Sequence, residues 1–488
     1  MNLALSLASA VLLILIFPPL NWFWLAPAAL APLLVACARE ASWKRRFVKG
    51  WAAGFVFWFG VCLWIQFVLE VHGGLGRWLA WVTFFLFAIL KGLHMALFAT
   101  LAGRLMPKPW AIPAVAALWT GIERTHEYFG FAWLDLGNAG IGMPALPRLA
   151  PITGVYGLSF VFAMLACALA VVALRRPRRE LAWLLLLAPV IVLPELPPPS
   201  QGTEPVRIVQ PNIDTEAEWT SESLRALERR MAAFSESPEG RLLVWPEAPA
   251  PFYPADPAFR AYLADVARSA RAYLLMGGVG RTPQGDPLNS AFLIDPNGNQ
   301  VDRYDKIKLV PFGEFVPWPF DWVNRITKEA GDFAPGNRIV IFQANGHRLG
   351  AFICYESAFP ALVRQFARDG AEVLINLSND GYFGHSAAYE QHLELVRMRA
   401  AENRRWILRA TNDGITAAID PAGRVTQRMP PYEILSADMH FNYIPGTTPY
   451  TRHGDWFAWT CLLWGGLSAC SRASARPGRL PAQKPAAS

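Results

Sequence analysis

Charge is scarce in this 488-residue chain: 17% of its residues are Asp, Glu, Lys or Arg, against about 25% in an ordinary soluble domain. With 53% hydrophobic residues, that scarcity excludes a disordered chain and a typical single soluble domain. Histidine is sparse too. The eight present are scattered, and His385 and His392 are not at metalloprotease spacing, so no metal centre is expected. A phosphate-cradling P-loop or Gly-x-Gly-x-x-Gly is missing, because Gly277-Gly-Val-Gly280 has no helix signal after it. No basic stripe carries interleaved aromatics, so the net charge of +7 is not read as a nucleic-acid footprint. No cofactor is expected. The first apolar run has no Lys or Arg before it and a second run follows at once, which favours a retained helix over a signal peptide.

What the chain has in abundance is aromatic and aliphatic surface, with 20 Trp and 30 Phe, many of them inside long apolar stretches. These stretches run about 3–19, 21–38, 49–69, 78–103, 110–123, 153–174 and 181–196, with a last one at 455–470. A helix needs about 20 apolar residues to cross a bilayer, so eight spans are expected, seven before a polar segment and one after it. The expected layout is a seven-span membrane domain over 1–200 and a soluble domain over 201–452. An eighth membrane helix over 453–472 and a disordered tail over 473–488 follow.

Lys and Arg are retained on the cytoplasmic side of membrane proteins. With a cytoplasmic N-terminus, the loops on that side hold Arg39, Lys44, Arg45, Arg46 and Lys49, then Arg104 and Lys108, then Arg175, Arg176, Arg178 and Arg179. The tail adds Arg472, Arg476, Arg479 and Lys484, whereas the opposite short loops hold only Arg77, Arg124 and Arg148. The polar segment then lies outside the cytoplasm, which in a bacterium means the periplasm or the exterior.

That segment alternates strand and helix signals. Strands are expected at Val206–Val209, Leu242–Trp245, Tyr273–Met276, Ala291–Ile294, Arg338–Phe342, Leu349–Ile353 and Val373–Asn376. Helices are expected near 221–236, 257–271, 358–368 and 387–405, and hairpins at Asp295-Pro-Asn-Gly298 and Asp420-Pro-Ala-Gly423. The result is a layered α/β domain of a size that buries its own core.

Only one of the six cysteines, Cys354, lies in this domain. It has no partner in a compartment that favours disulfides, which makes it either a nucleophile or a small buried apolar residue. It ends an apolar run and precedes a helix signal, so it sits on a strand-to-helix turn at the C-terminal edge of a sheet. A nearby helix N-terminus would favour its thiolate. A nucleophile needs a proton acceptor, and Glu247 follows its strand through the rigid Pro246. On sequence alone Glu247 serves equally well as a solvated loop residue. The cation that developing negative charge requires is Lys306 or Lys308; in an extended segment the two share a face, and spacing does not choose between them.

Trp245-Pro-Glu247, Lys306 eight residues before Glu314 in Val310-Pro-Phe-Gly-Glu314, and Ile353-Cys-Tyr-Glu356 come in the order Glu, Lys, Cys. This set resembles the carbon–nitrogen hydrolase (nitrilase) superfamily, whose domain is an αββα sandwich. Joined to the membrane spans it is similar to the apolipoprotein N-acyltransferase family of the bacterial inner membrane. The resemblance covers essentially the whole chain. It implies Glu247 as general base, Cys354 as nucleophile and Lys306, rather than Lys308, as the oxyanion-stabilising cation. Glu314 would support the triad, Tyr355 and Glu356 would shape the pocket, and Trp219 resembles an important aromatic of the family. It further implies a phospholipid acyl donor, phosphatidylethanolamine being favoured, a diacylglyceryl-modified apolipoprotein acceptor and a catalytic domain in the periplasm. Asn379-Asp-Gly-Tyr-Phe-Gly384 resembles a superfamily loop to which no role is given.

The aromatic segment Phe312, Phe315, Val316, Trp318, Phe320 and Trp322, and Pro251-Phe-Tyr-Pro254, suit either an apolar arm for acyl chains or the domain core. Two other readings stay open. One is a membrane-anchored amidase in which water resolves the thioester. The other is a transporter or receptor with a non-catalytic outer domain, for which Lys91, Glu123 and His94 are the few ionisable residues within spans.

Overall fold

The computed structural model describes residues 1–129, 131–214, 217, 219–236, 239–247, 252–315 and 333–471. Its polar half contains twelve described strands: β1 (Glu204–Gln210), β2 (Leu242–Val244), β3 (Tyr273–Arg281), β4 (Pro287–Ile294), β5 (Gln300–Asp305), β6 (Ile341–Ala344), β7 (His347–Ile353), β8 (Val373–Ser378), β9 (Ile407–Thr411), β10 (Ala417–Ile419), β11 (Val425–Arg428) and β12 (Leu435–Phe441). They form two six-stranded sheets, ordered β12-β1-β2-β3-β4-β5 and β11-β10-β9-β8-β7-β6. Each sheet has three mutually parallel central strands, β1–β3 in one and β7–β9 in the other, flanked by antiparallel neighbours.

Side-chain alternation explains the layering. Leu242 and Val244 face the partner sheet, whereas Leu243 and Trp245 pack with Leu227, Met231, Phe259 and Leu263 of the outer helices Ser221–Ser235 and Pro257–Ala270. Asp256 caps the second of these helices by accepting from Phe259 N–H at 2.9 Å, with Pro257 in the first turn. Pro360–Arg368 and Ala388–Asn403 pack beside the second sheet. Both expected hairpins form, β4–β5 and β10–β11. One expected strand moves: 338–342 pairs only from Ile341 onward.

The helical half corrects the count of eight spans. Among the described residues two helices, Gly76–Leu105 and Val155–Ala173, are long and apolar enough to cross a membrane. The pair Trp43–Val61 and Trp64–His72, bent by 61°, makes a third if taken as one span. The fifth and last apolar stretches fold as Ala111–Arg124 and Trp456–Cys470, of 14 and 15 residues. At about 1.5 Å per residue they reach roughly 22 Å, short of the ~30 Å hydrocarbon layer. The first two stretches likewise give only shorter apolar helices, Asn2–Leu15 and Phe23–Ala38. The stretch 181–196 forms no span because Pro189 and Pro194 break it into a 3-10 segment, Arg178–Leu187, and one turn, Pro189–Val192. The expected tail lies outside the described residues.

Small residues hold the helices together, since apolar side chains gain little by leaving lipid for protein. A Cβ on Gly54 would lie 2.7 Å from Met95 Cβ and 2.9 Å from Gly92 Cα. That contact sets the approach of Trp43–Val61 to Gly76–Leu105. A large residue there forces the pair apart, at about 1–3 kcal/mol for an overpacked site. Gly54→Leu should therefore lower the thermal midpoint in detergent, whereas a replacement at the exposed Val82 should leave it within a degree or so.

Candidate active site

Four separate segments converge on one buried ammonium. Lys306, the residue after β5, is 1% exposed. Its Nζ donates to Glu247 Oε1 at 3.1 Å and to Glu314 Oε1 at 2.9 Å. Asn289 Nδ2, on β4, donates to the same two oxygens at 2.7 Å each. The remaining carboxylate oxygens accept from backbone: Glu247 Oε2 from Asn379 N–H at 2.9 Å and Glu314 Oε2 from Val310 N–H at 2.8 Å. Burial alone would lower the Lys306 pKa, but Glu247 and Glu314 outweigh it and raise it well above the usual value. The cation is therefore permanent at physiological pH.

Cys354 follows β7 directly and opens the 3-10 turn Cys354–Ala358. Its φ of +48° is unusual for a non-glycine residue and holds strain of order 1–3 kcal/mol. The turn is over-determined by its surroundings. His392 Nε2 lies 3.0 Å from the Cys354 carbonyl oxygen, which can only accept, so this nitrogen carries the proton. His392 Nδ1 lies 3.0 Å from Asp380 Oδ1 and 3.2 Å from Arg409 Nη2; burial and Arg409 lower the imidazole pKa, and Asp380 opposes them. Asp380 accepts from Arg409 at 2.6 Å and from Ser378 Oγ at 2.8 Å. Burial pushes the Cys354 thiol pKa up; Glu247 adds to the rise and Lys306 opposes it. At rest Cys354 is a thiol.

Cys354 opens on a cavity of ≈ 920 Å³ built from both halves of the chain. Glu247, Lys306, Tyr355, Asn379 and Phe383 line its α/β side, and Trp64, Val68, Phe87, Leu90 and Phe131 line its helical side. A thiol, a carboxylate and a fixed ammonium at the end of an apolar chamber are the parts that acyl transfer requires.

Residues 205–447 match the carbon-nitrogen hydrolase family, and residues 9–168 match the apolipoprotein N-acyltransferase N-terminal domain. The apolipoprotein N-acyltransferase of Geobacter metallireducens is 34% identical, the match covering 95% of this chain and 94% of that protein. That of Ralstonia nicotianae is 34% identical over 90% of this chain and 88% of that protein. The chain belongs to the apolipoprotein N-acyltransferase family. Among solved structures, the amidase from Nesterenkonia sp. aligns over 52% of this chain and 94% of its own at 20% identity, with a TM-score of 0.37.

Set against this family membership, the geometry sorts the residues singled out in the sequence. Glu247, Lys306, Glu314 and Cys354 are brought together, and Tyr355 lines the cavity beside Phe131 and Trp133. Lys308 is separated from Lys306: its Nζ lies 3.4 Å from Glu127 Oε1. Glu356 is fully buried behind the cavity wall, where it accepts from Tyr304 Oη, Ile307 N–H and Ile353 N–H at 2.7 Å each. It ties the Lys306 segment to the cysteine turn instead of shaping the pocket. Trp219 packs against the outer cluster of Val209, Leu227 and Met231 and is not brought to the cavity.

Phe312 and Phe315 do line the cavity, whereas Val316, Trp318, Phe320 and Trp322 lie outside the described residues. So does Pro251, while Phe252 is core, stacked on Phe259 at 4.9 Å. Within the helices, Lys91 Nζ donates to Phe131 O at 3.0 Å and Glu123 Oε1 accepts from Leu136 N–H at 2.6 Å, so both brace a loop. Asn289, Asn379, Asp380, His392 and Arg409 were not foreseen in the sequence as parts of the site. Only the superfamily-like loop at 379–384 carried a signal.

Because the thiol pKa is raised, alkylation of Cys354 by iodoacetamide should be slower at pH 7–8 than that of an ordinary exposed thiol and should climb with pH well into the alkaline range. Intact mass after timed reaction follows the alkylation.

Proposed function

We propose that the protein is an apolipoprotein N-acyltransferase acting by ping-pong acyl transfer. What carries this reading is the buried Glu247–Lys306–Glu314 triplet beside Cys354 in an apolar cavity shared with the helical half. Cys354 Sγ attacks the ester carbonyl of a membrane phospholipid while Glu247 takes the thiol proton. Lys306 stabilises the tetrahedral oxyanion. As the intermediate collapses, the C–O bond breaks, Glu247 returns the proton to the leaving alkoxide, and a lysophospholipid departs from the Cys354 thioester. The α-amine of a diacylglyceryl-modified cysteine at a lipoprotein N-terminus then attacks the thioester carbonyl. Glu247 takes the amine proton and passes it to the departing thiolate, leaving an N-acylated lipoprotein and free enzyme. A resting thiol suits this scheme, because proton loss is coupled to attack rather than preceding it.

Phosphatidylethanolamine is the donor proposed here. The working location is the bacterial inner membrane with the α/β domain in the periplasm. Basic residues gather at the end of the helices remote from Cys354, which supports that orientation. Lys108 Nζ donates to Ser471 O at 3.0 Å, Arg176 Nη2 donates to Lys108 O at 2.8 Å, and Arg46 packs on Gly103. Exposed Leu86, Leu90, Leu93 and Leu97 on Gly76–Leu105 supply a lipid-facing stripe.

Intact mass spectrometry of the protein incubated with phosphatidylethanolamine tests the first half-reaction. A hydroxylamine-labile acyl increment is expected on wild type and not on Cys354→Ser. Lys306→Ala should form it about 10²–10³-fold more slowly. A folded Lys306→Ala enzyme of near-normal rate would sink the oxyanion assignment, and no increment on wild type would sink the donor reading.

A further inference from the structure

Three charged residues of the cavity wall are not used by the chemistry above: Lys308, Glu127 and Lys91, and the last already donates to Phe131 O at 3.0 Å. Glu127 is fixed from behind. Its Oε2 accepts from Arg124 Nη1 at 2.9 Å, and Arg124 Nε is itself 2.6 Å from Asp455 Oδ2. The Arg124 guanidinium lies over the rings of Tyr128 and Trp459, 5.2 and 5.1 Å from their centroids. Glu127 Oε1, the other oxygen, meets Lys308 Nζ at 3.4 Å.

The two partners differ in freedom. The Glu127 side chain is 16% exposed and clamped, whereas that of Lys308 is 38% exposed and held by this long contact and by the face of Phe359, 5.0 Å away. A partly exposed pair of this kind contributes little to stability, so its ammonium is displaceable. Height in the bilayer fits a headgroup. Tyr128 and Trp459 are exposed neighbours with ring centroids 6.0 Å apart, and exposed Tyr and Trp mark the membrane–water interface.

We propose that Glu127 and Lys308 form the headgroup subsite for a zwitterionic acyl donor that carries a primary ammonium two carbons from its phosphate. The donor ammonium replaces Lys308 Nζ on Glu127 Oε1, and the released Lys308 pairs with the phosphate. Charge is conserved in the exchange: two opposite-sign contacts replace one. An anionic lipid with a neutral polyol headgroup offers its phosphate to Lys308 but no cation to Glu127, which then loses its charged partner without replacement. This inference rests on the acyltransferase reading and adds the residues that choose the donor.

The test is single-turnover acylation of Cys354 in mixed micelles, using phosphatidylethanolamine and phosphatidylglycerol with identical acyl chains. Wild type should prefer phosphatidylethanolamine. Glu127→Gln should shrink that preference about tenfold, the scale of one lost hydrogen bond to a charged group. Lys308→Ala should slow both donors alike through a higher apparent KM, since both carry the phosphate. Binding of each donor to Cys354→Ser protein carrying Glu127→Gln, read by native mass spectrometry, should lose the same preference and needs no turnover. A Glu127→Gln enzyme that loses both donors equally would make Glu127 a structural brace and overturn the proposal. So would a wild type without preference, or an effect confined to discharge by the acceptor. Failure of wild type to be acylated by either lipid would instead overturn the function on which the subsite rests.

Discussion

A single ammonium, buried and shared by two carboxylates, organises the α/β domain. An ion is costly to remove from water, and a buried charge left without its partner costs about 3–5 kcal/mol. Lys306 avoids that cost only when the segments after β2 and β5, strand β4 and the Glu314 turn are all in place. Folding of the sheet and assembly of the site are therefore one event. The same arrangement supplies what the proposed chemistry needs: a fixed positive charge for an oxyanion, a carboxylate beside it, and a thiol whose pKa burial raises.

The cysteine turn is held from two sides. Glu356 joins its strand end to the Lys306 segment through Ile353 N–H and Ile307 N–H, and His392 fixes the Cys354 carbonyl. Strain at φ = +48° persists because both ties would have to break before it could relax. The helical half then closes the site from below. Phe131 and Trp133 lie beside Tyr355, and Phe87, Leu90 and Val68 extend the apolar wall away from Cys354. A soluble substrate has no need of such a wall.

Much of the α/β fold was legible because its signals are local. β2 and β8 read as short apolar runs and are buried along their whole length, and the two Asp-Pro hairpin turns end their strands where the chemistry of the turn demands. Cys354 and Glu247 stood out as candidates from their place after such runs, and the family resemblance, not position, chose Glu247 over a solvated loop residue. Lys306 and Lys308 were not separable by spacing, and the choice is made by where β5 stops: Asp305 is its last residue, and beyond it the chain turns Lys308 toward Glu127. Asn289 was invisible, since one polar residue in an apolar strand acquires meaning only from carboxylates 42 and 25 positions away. The family resemblance put Glu356 in the pocket, and the sequence beside Cys354 does not reveal which way a 3-10 turn points. The count of eight spans overreached for a related reason. Hydropathy measures how apolar a stretch is, and it does not register the prolines and close helix contacts that shorten or bend the helices it forms.

The central claim is transfer to an amine, and discharge of the acyl-enzyme tests it most directly. Wild-type protein loaded on Cys354 from phospholipid, freed of excess lipid, is mixed with a diacylglyceryl-cysteine lipopeptide or with buffer alone. The account predicts rapid loss of the acyl increment only with the lipopeptide, and recovery of the chain as an amide on its N-terminal nitrogen. Release as free fatty acid at the same rate with and without lipopeptide would contradict it and make the protein a membrane-anchored hydrolase.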